Sequence, residues 1–80
     1  MKFQSTILFL SIRSFTSKKS GYSYEFVSFV AEGKYYEVFS SVPDTVYDFL
    51  SEIEEPTTLT ATFEVTSSNG RASIKLVDAI

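Results

Sequence analysis

The stretch PDTVYDFLSEIEEP, residues 43–56, breaks the period of the surrounding chain and decides the fold class. Val46, Phe49, Leu50 and Ile53 recur at i, i+3, i+4 and i+7, which is one face of a helix. Asp44, Asp48, Glu52 and Glu55 take the opposite side. Pro43 suits a first helical turn, Ser41 or Asp44 is placed to cap it, and Pro56 forbids continuation. The expectation is one helix of about three turns, with strand-like sequence on both sides.

Upstream, residues 2–15 read as a first strand, with Phe3, Ile7 and Phe9 on one parity and Leu8, Leu10 and Ile12 on the other. Apolar residues on both parities fit a long bent strand that changes face along its length. Thr16-Ser17-Lys18-Lys19-Ser20-Gly21 is a polar, basic connection. Residues 22–31 and 34–41 are rich in Tyr, Phe and Val, and Glu32-Gly33 between them has the length of a tight hairpin turn.

Downstream of the helix, Leu59, Ala61, Phe63 and Val65 alternate with Thr58, Thr60, Thr62, Glu64 and Thr66. Asn69-Gly70 is a hairpin signal, because both residues tolerate positive φ. Ala72, Ile74 and Leu76 then form an inner face, with Arg71, Ser73 and Lys75 outside. Strand propensity accounts for the threonine row Thr57, Thr58, Thr60, Thr62 and Thr66.

Three strands, a helix and two strands define a mainly β fold over residues 1–80. It is read as one domain, a five-stranded OB-fold-like barrel with one α-helix between strands 3 and 4. An SH3-like barrel lacks that helix and matches less well.

Composition narrows the chemistry. An 80-residue chain buries about 60–65% of the surface its unfolded form exposes, so the core is modest and the stability margin small. The 44% apolar content is nevertheless enough for a globular core. Cysteine and histidine are both absent, which excludes a disulfide framework, a Cys/His zinc site and any nucleophile–histidine arrangement. Asp44 and Asp48 stand one turn apart, but no histidine, third ligand or glycine-rich phosphate loop accompanies them. The chain is read as a non-enzyme, with no cofactor and no metal.

Its longest apolar run, Ile7-Leu8-Phe9-Leu10, is far short of the roughly 20 residues a membrane span needs. Ser11, Arg13 and the lack of a small-residue cleavage site argue against a signal peptide at Met1-Lys2.

Charge is unevenly placed. The formal net charge is −3, yet Asp44, Asp48, Glu52, Glu54 and Glu55 crowd into residues 44–55, which leaves a mildly basic remainder. Because a polyanion responds to the local field, the net value alone does not exclude nucleic acid. Aromatic residues make up 16% of the chain, eight Phe and five Tyr, against about 8–9% in ordinary globular usage. So small a core cannot readily bury thirteen rings of about 150–250 Å² each.

With Glu32-Gly33 as the turn, Val30 pairs with Tyr35, Phe29 with Tyr36, Val27 with Val38 and Phe26 with Phe39. Alternation then puts Val27, Phe29, Tyr36 and Val38 on one face, which is read as core. Tyr22, Tyr24, Phe26, Ser28, Val30, Tyr35, Glu37 and Phe39 fall on the other, where Ser28 and Glu37 argue for contact with water.

An open face bearing Tyr24, Phe26, Tyr35 and Phe39 suits unpaired bases, which stack on aromatic rings with little sequence preference. Arg13, Lys18, Lys19, Lys34, Arg71 and Lys75 are the candidate phosphate contacts. Two other readings of the face stay open: a second subunit covers it, or a bulge shifts the register and buries the rings.

Ser17-Lys18-Lys19-Ser20-Gly21-Tyr22-Ser23-Tyr24 resembles the basic–Gly–Tyr approach to the second strand in small single-stranded-DNA-binding proteins of bacteriophages, the gene V type. Asn69-Gly70-Arg71, followed by a terminal apolar strand, is similar to a late hairpin in that group. The resemblance implies an OB-fold, a homodimer, cooperative coating of single strands, no catalysis, and DNA contacts at Lys18, Lys19 and Tyr22, with Arg71 a candidate. The acidic balance and the helix depart from the gene V pattern.

The expected function is non-sequence-specific binding of single-stranded DNA, or of RNA, in phage or plasmid replication or recombination in the cytoplasm of a bacterial host. The alternative is an acidic phage-type interaction module or DNA-mimic inhibitor of a nucleic-acid enzyme. In either case the acidic helix at Asp44, Asp48, Glu52 and Glu55 is a possible dock for a basic protein partner.

Overall fold

A computed structural model describes residues 1–80. It contains β1 (Lys2–Thr16), β2 (Ser23–Ala31), β3 (Lys34–Ser40), α1 (Asp44–Ser51), β4 (Thr57–Ser68) and β5 (Arg71–Ala79). The strands form one antiparallel sheet in the order β3-β2-β1-β4-β5. The sheet curls into a half-barrel, and the helix lies between strands 3 and 4, as an OB-like arrangement requires. No helix is long and apolar enough to cross a membrane.

β1 is long because it serves both halves of the sheet. Lys2–Phe9 pair with β4, and Leu8–Thr16 pair with β2. A bulge lies between Phe9 and Ser11, immediately after the last pairing with β4. One extra residue bends a strand and increases its twist, which is how a single strand passes from one side of a curled sheet to the other. Before the bulge Ile7 and Phe9 point inward; beyond it Ile12, opposite the fully buried Val27, takes the inward parity. This is the change of face that apolar residues on both parities foretold.

The β2–β3 register is the one the turn implies: Val30 opposes Tyr35, Phe29 opposes Tyr36, Val27 opposes Val38 and Phe26 opposes Phe39. Glu32 and Gly33 both have positive φ, 53° and 77°, and the Asn69-Gly70 turn repeats the pattern at 52° and 76°. Two successive positive-φ residues match the twist of the flanking strands and close a two-residue hairpin.

The core joins Ile7, Phe9, Val27, Phe29, Val38, Leu59, Ala61, Phe63, Leu76 and Ala79 from the sheet to Val42, Val46 and Leu50 from the helix segment. Phe29 and Phe63 meet at 5.4 Å between ring centroids. The edge strands β3 and β5 approach each other where the Leu76 backbone N–H donates to the Ser40 hydroxyl at 3.4 Å. Away from that point they part over a cleft of about 250 Å³, lined by Phe3, Phe29, Tyr36, Phe63 and Ile74 among others. Tyr36 has the inward parity expected of it but remains 43% exposed, because the barrel stays open at that edge.

The helix is shorter than its apolar spacing suggests. It ends at Ser51, and Pro43 is the N-cap with no side-chain capping bond, so neither Ser41 nor Asp44 caps it. Pro56 does not terminate it either. Glu52, Glu54 and Glu55 put negative charge at the negative end of the helix dipole, which disfavours another turn. Ile53 still packs against the core from beyond the helix, its N–H bonded to the Leu50 carbonyl at 3.2 Å.

Candidate nucleic-acid interface

Residues directly opposite one another in an antiparallel sheet point to the same face. On the outer face of β1, β2 and β3 the rows are Phe15–Tyr24, Arg13–Phe26–Phe39, Ser11–Ser28–Glu37 and Leu8–Val30–Tyr35. The ring-bearing surface is therefore on the outside of the half-barrel. Tyr35 is 58% exposed and Phe39 48%, while Tyr24 and Phe26 are half-buried beside them.

Phe39 is the hub of this surface. Its ring stacks on Phe26 at 4.4 Å, tilts against Tyr24 at 5.0 Å and meets Phe15 edge-on at 6.4 Å. The Arg13 guanidinium lies 5.6 Å from the centroid of the Phe26 ring, on the same side of the sheet. The result is a continuous patch of four rings with a cation on it. Mutual packing holds the rings in place, so ordering them on contact with a ligand costs little side-chain entropy.

Below the patch, the Tyr35 hydroxyl donates to Glu37 Oε1 at 2.9 Å. From Tyr24 to Val30 the face runs about 20 Å along β2.

The candidate cations do not converge on one spot. Lys18 and Lys19 are exposed in the loop that follows β1, held by a turn in which the Gly21 N–H bonds to the Ser17 carbonyl at 2.9 Å. Tyr22 is exposed at the end of that loop. Antiparallel pairing puts Lys34 and the Asn69-Gly70-Arg71 turn away from the Lys18-Lys19 loop, and Lys34, opposite Ala31, takes the parity of Phe29 and Tyr36 and so does not share the face of the rings. Lys75, on the outer side of β5, is engaged by Glu64 at 3.5 Å, the one ion pair in the molecule. Arg13, Lys18 and Lys19 are the cations that adjoin the rings in the β1–β2 hairpin.

Phe15 belongs to the patch although sequence reading had not assigned it to the ring-bearing face. The bulge supplies the reason: without it Arg13 and Phe15 share the inward parity of Phe9, and with it both face out. The available signal was the loop length, since Thr16 opposite Ser23 already sets Phe15 opposite Tyr24.

Among the acidic residues, Asp44 and Asp48 stand one turn apart on α1, and no group of three or more carboxylates converges to hold a cation. Comparison with family models, with curated proteins and with solved structures finds no match to this chain.

Proposed function

We propose that this protein binds single-stranded DNA, with single-stranded RNA as the related ligand, without strong overall sequence preference. The observation that carries the reading is the outward patch of Phe15, Tyr24, Phe26 and Phe39 with Arg13 over it. Each base stacked on such a ring contributes about 1–3 kcal/mol whatever its identity. Arg13, Lys18 and Lys19 follow the phosphates beside the rings, and Arg71 extends the path at a far turn. In duplex the base faces are already stacked on each other, so the patch favours single strands.

The resemblance to the gene V type supplies the setting: a homodimer that coats single strands during replication or recombination of a phage or plasmid. Titration with a thymidine oligomer, followed by quenching of tyrosine fluorescence, tests the reading. Affinity should fall as salt rises, with a log–log slope of about −0.7 per phosphate contacted. Absence of binding at low salt would remove it, and equal affinity for duplex would point to another mode. Light scattering of the free protein checks the dimer against the 9.0 kDa chain.

A second reading rests on the acids of α1 and its continuation, Asp44, Asp48, Glu52, Glu54 and Glu55, none of which is ion-paired within the chain. They form a surface that attracts a basic protein, either a replication partner or, for a DNA mimic, a nucleic-acid enzyme.

A further inference from the structure

We propose that the aromatic patch selects guanine at one position through the Glu37 carboxylate; this rests on the single-strand reading above and adds base discrimination to it. Glu37 lies two residues from Phe39 on the same face of β3, so their Cα atoms are about 7 Å apart. A base stacked on the exposed Phe39 ring therefore directs an edge toward Glu37. The Tyr35 hydroxyl steers that carboxylate by donating to Oε1, while Oε2 has neither hydrogen bond nor ion pair within the chain.

A carboxylate on a surface that receives phosphates repels them. Its place there is explained if it meets donors, since an ionised carboxylate only accepts and has room for about four hydrogen bonds. Guanine alone presents two adjacent donors, N1–H and the N2 amine. Cytosine and adenine present one amine beside a ring nitrogen lone pair, and thymine and uracil one N–H between two carbonyls. The same carboxylate thus attracts guanine and opposes a lone pair on every other base. Ser11, in the same cross-strand row, is exposed as Glu37 is, whereas Ser28 between them is buried at 6% exposure and does not meet water as its alternation had implied, because the longer side chains around it cover it.

The test compares a short thymidine oligomer with one carrying two central guanines, and with versions in which hypoxanthine or 7-deazaguanine replaces them. The guanine oligomer should bind at least about fivefold tighter than thymidine alone, in line with bidentate base contacts. Hypoxanthine, which lacks the N2 amine, should lose most of that gain, and 7-deazaguanine should keep it. Glu37→Ala should abolish the preference while thymidine affinity is kept or rises, and Glu37→Gln should retain part of it. Because Glu37 is exposed, both variants should melt like the parent.

If the parent binds thymidine and guanine oligomers equally, the base selection is wrong and the single-strand reading stands. A preference that survives in Glu37→Ala, or hypoxanthine equal to guanine, also overturns it. Failure to bind any oligomer at low salt removes the platform and this inference together.

Discussion

On β2, Glu25 shares the inward parity of Val27 and Phe29, and it is only 8% exposed. Its Oε2 is buried without a hydrogen-bond partner. Burial pushes its pKa above the ordinary glutamate value; the Val42 backbone amide pulls it back in part, and the charge of Asp44 pushes it further up. A carboxyl whose pKa is raised by folding stabilises the fold fully below its unfolded pKa, and loses that contribution as pH rises through the folded value.

Glu25→Gln should therefore melt like the parent in acid and higher than it near neutral pH. The gain should be about 1 kcal/mol, or roughly 4–8 °C for a chain this small. Thermal melts of both proteins across that range check it; a difference that does not vary with pH would show that the carboxylate is solvated. Phe39 is the other informative residue, because three rings lean on it from an exposed position. Phe39→Ala should weaken oligonucleotide binding by about 1–3 kcal/mol and leave the strands intact by circular dichroism. Tyr24→Ala should do the same to a smaller extent, since that ring is half-buried.

The β2–β3 hairpin shows how a local turn sets a distant surface. Glu32-Gly33 determines which residues oppose, and a side-chain period of two then decides which rings face water. Gly33 has φ +77° with nothing within 4 Å of the place a Cβ would occupy, so a side chain there meets backbone strain alone. Gly33→Ala should destabilise the protein by about 1–2 kcal/mol, read as a lower midpoint in urea with an unchanged slope. A changed slope would mean that the register itself had moved. In α1 the apolar spacing gives an inward Val46 and Leu50, but Phe49, expected on the same face, is 40% exposed, and spacing cannot report the charge carried at the end of a helix. The three glutamates after Ser51 explain its early end.

For the whole molecule, charge separation is the property that bears on function. The acids of residues 44–55 sit on the helix segment, while Arg13, Lys18 and Lys19 belong to the β1–β2 hairpin. Reversing Asp48 and Glu52 to Lys should leave single-strand affinity unchanged or raise it several-fold at low salt, an effect that fades as salt screens the charges. A DNA mimic would instead lose its target on the same change, so a pull-down against basic partners separates the two readings.

The order of elements, the two positive-φ turns and the sidedness of the β2–β3 hairpin follow from the sequence by itself, because each depends on neighbours only a few residues apart. Glu32-Gly33 and Asn69-Gly70 hold the information for their own turns, and alternation carries it outward along each strand. Only the tertiary structure decided the rest. The bulge after Phe9 arises because β1 must pair with β4 and then with β2 around a curve, and it alone turns Arg13 and Phe15 outward onto the rings of β2 and β3. The open edge at Tyr36 and the buried carboxyl of Glu25 depend likewise on how far the sheet closes, a quantity set by long-range packing and not by any local run of residues.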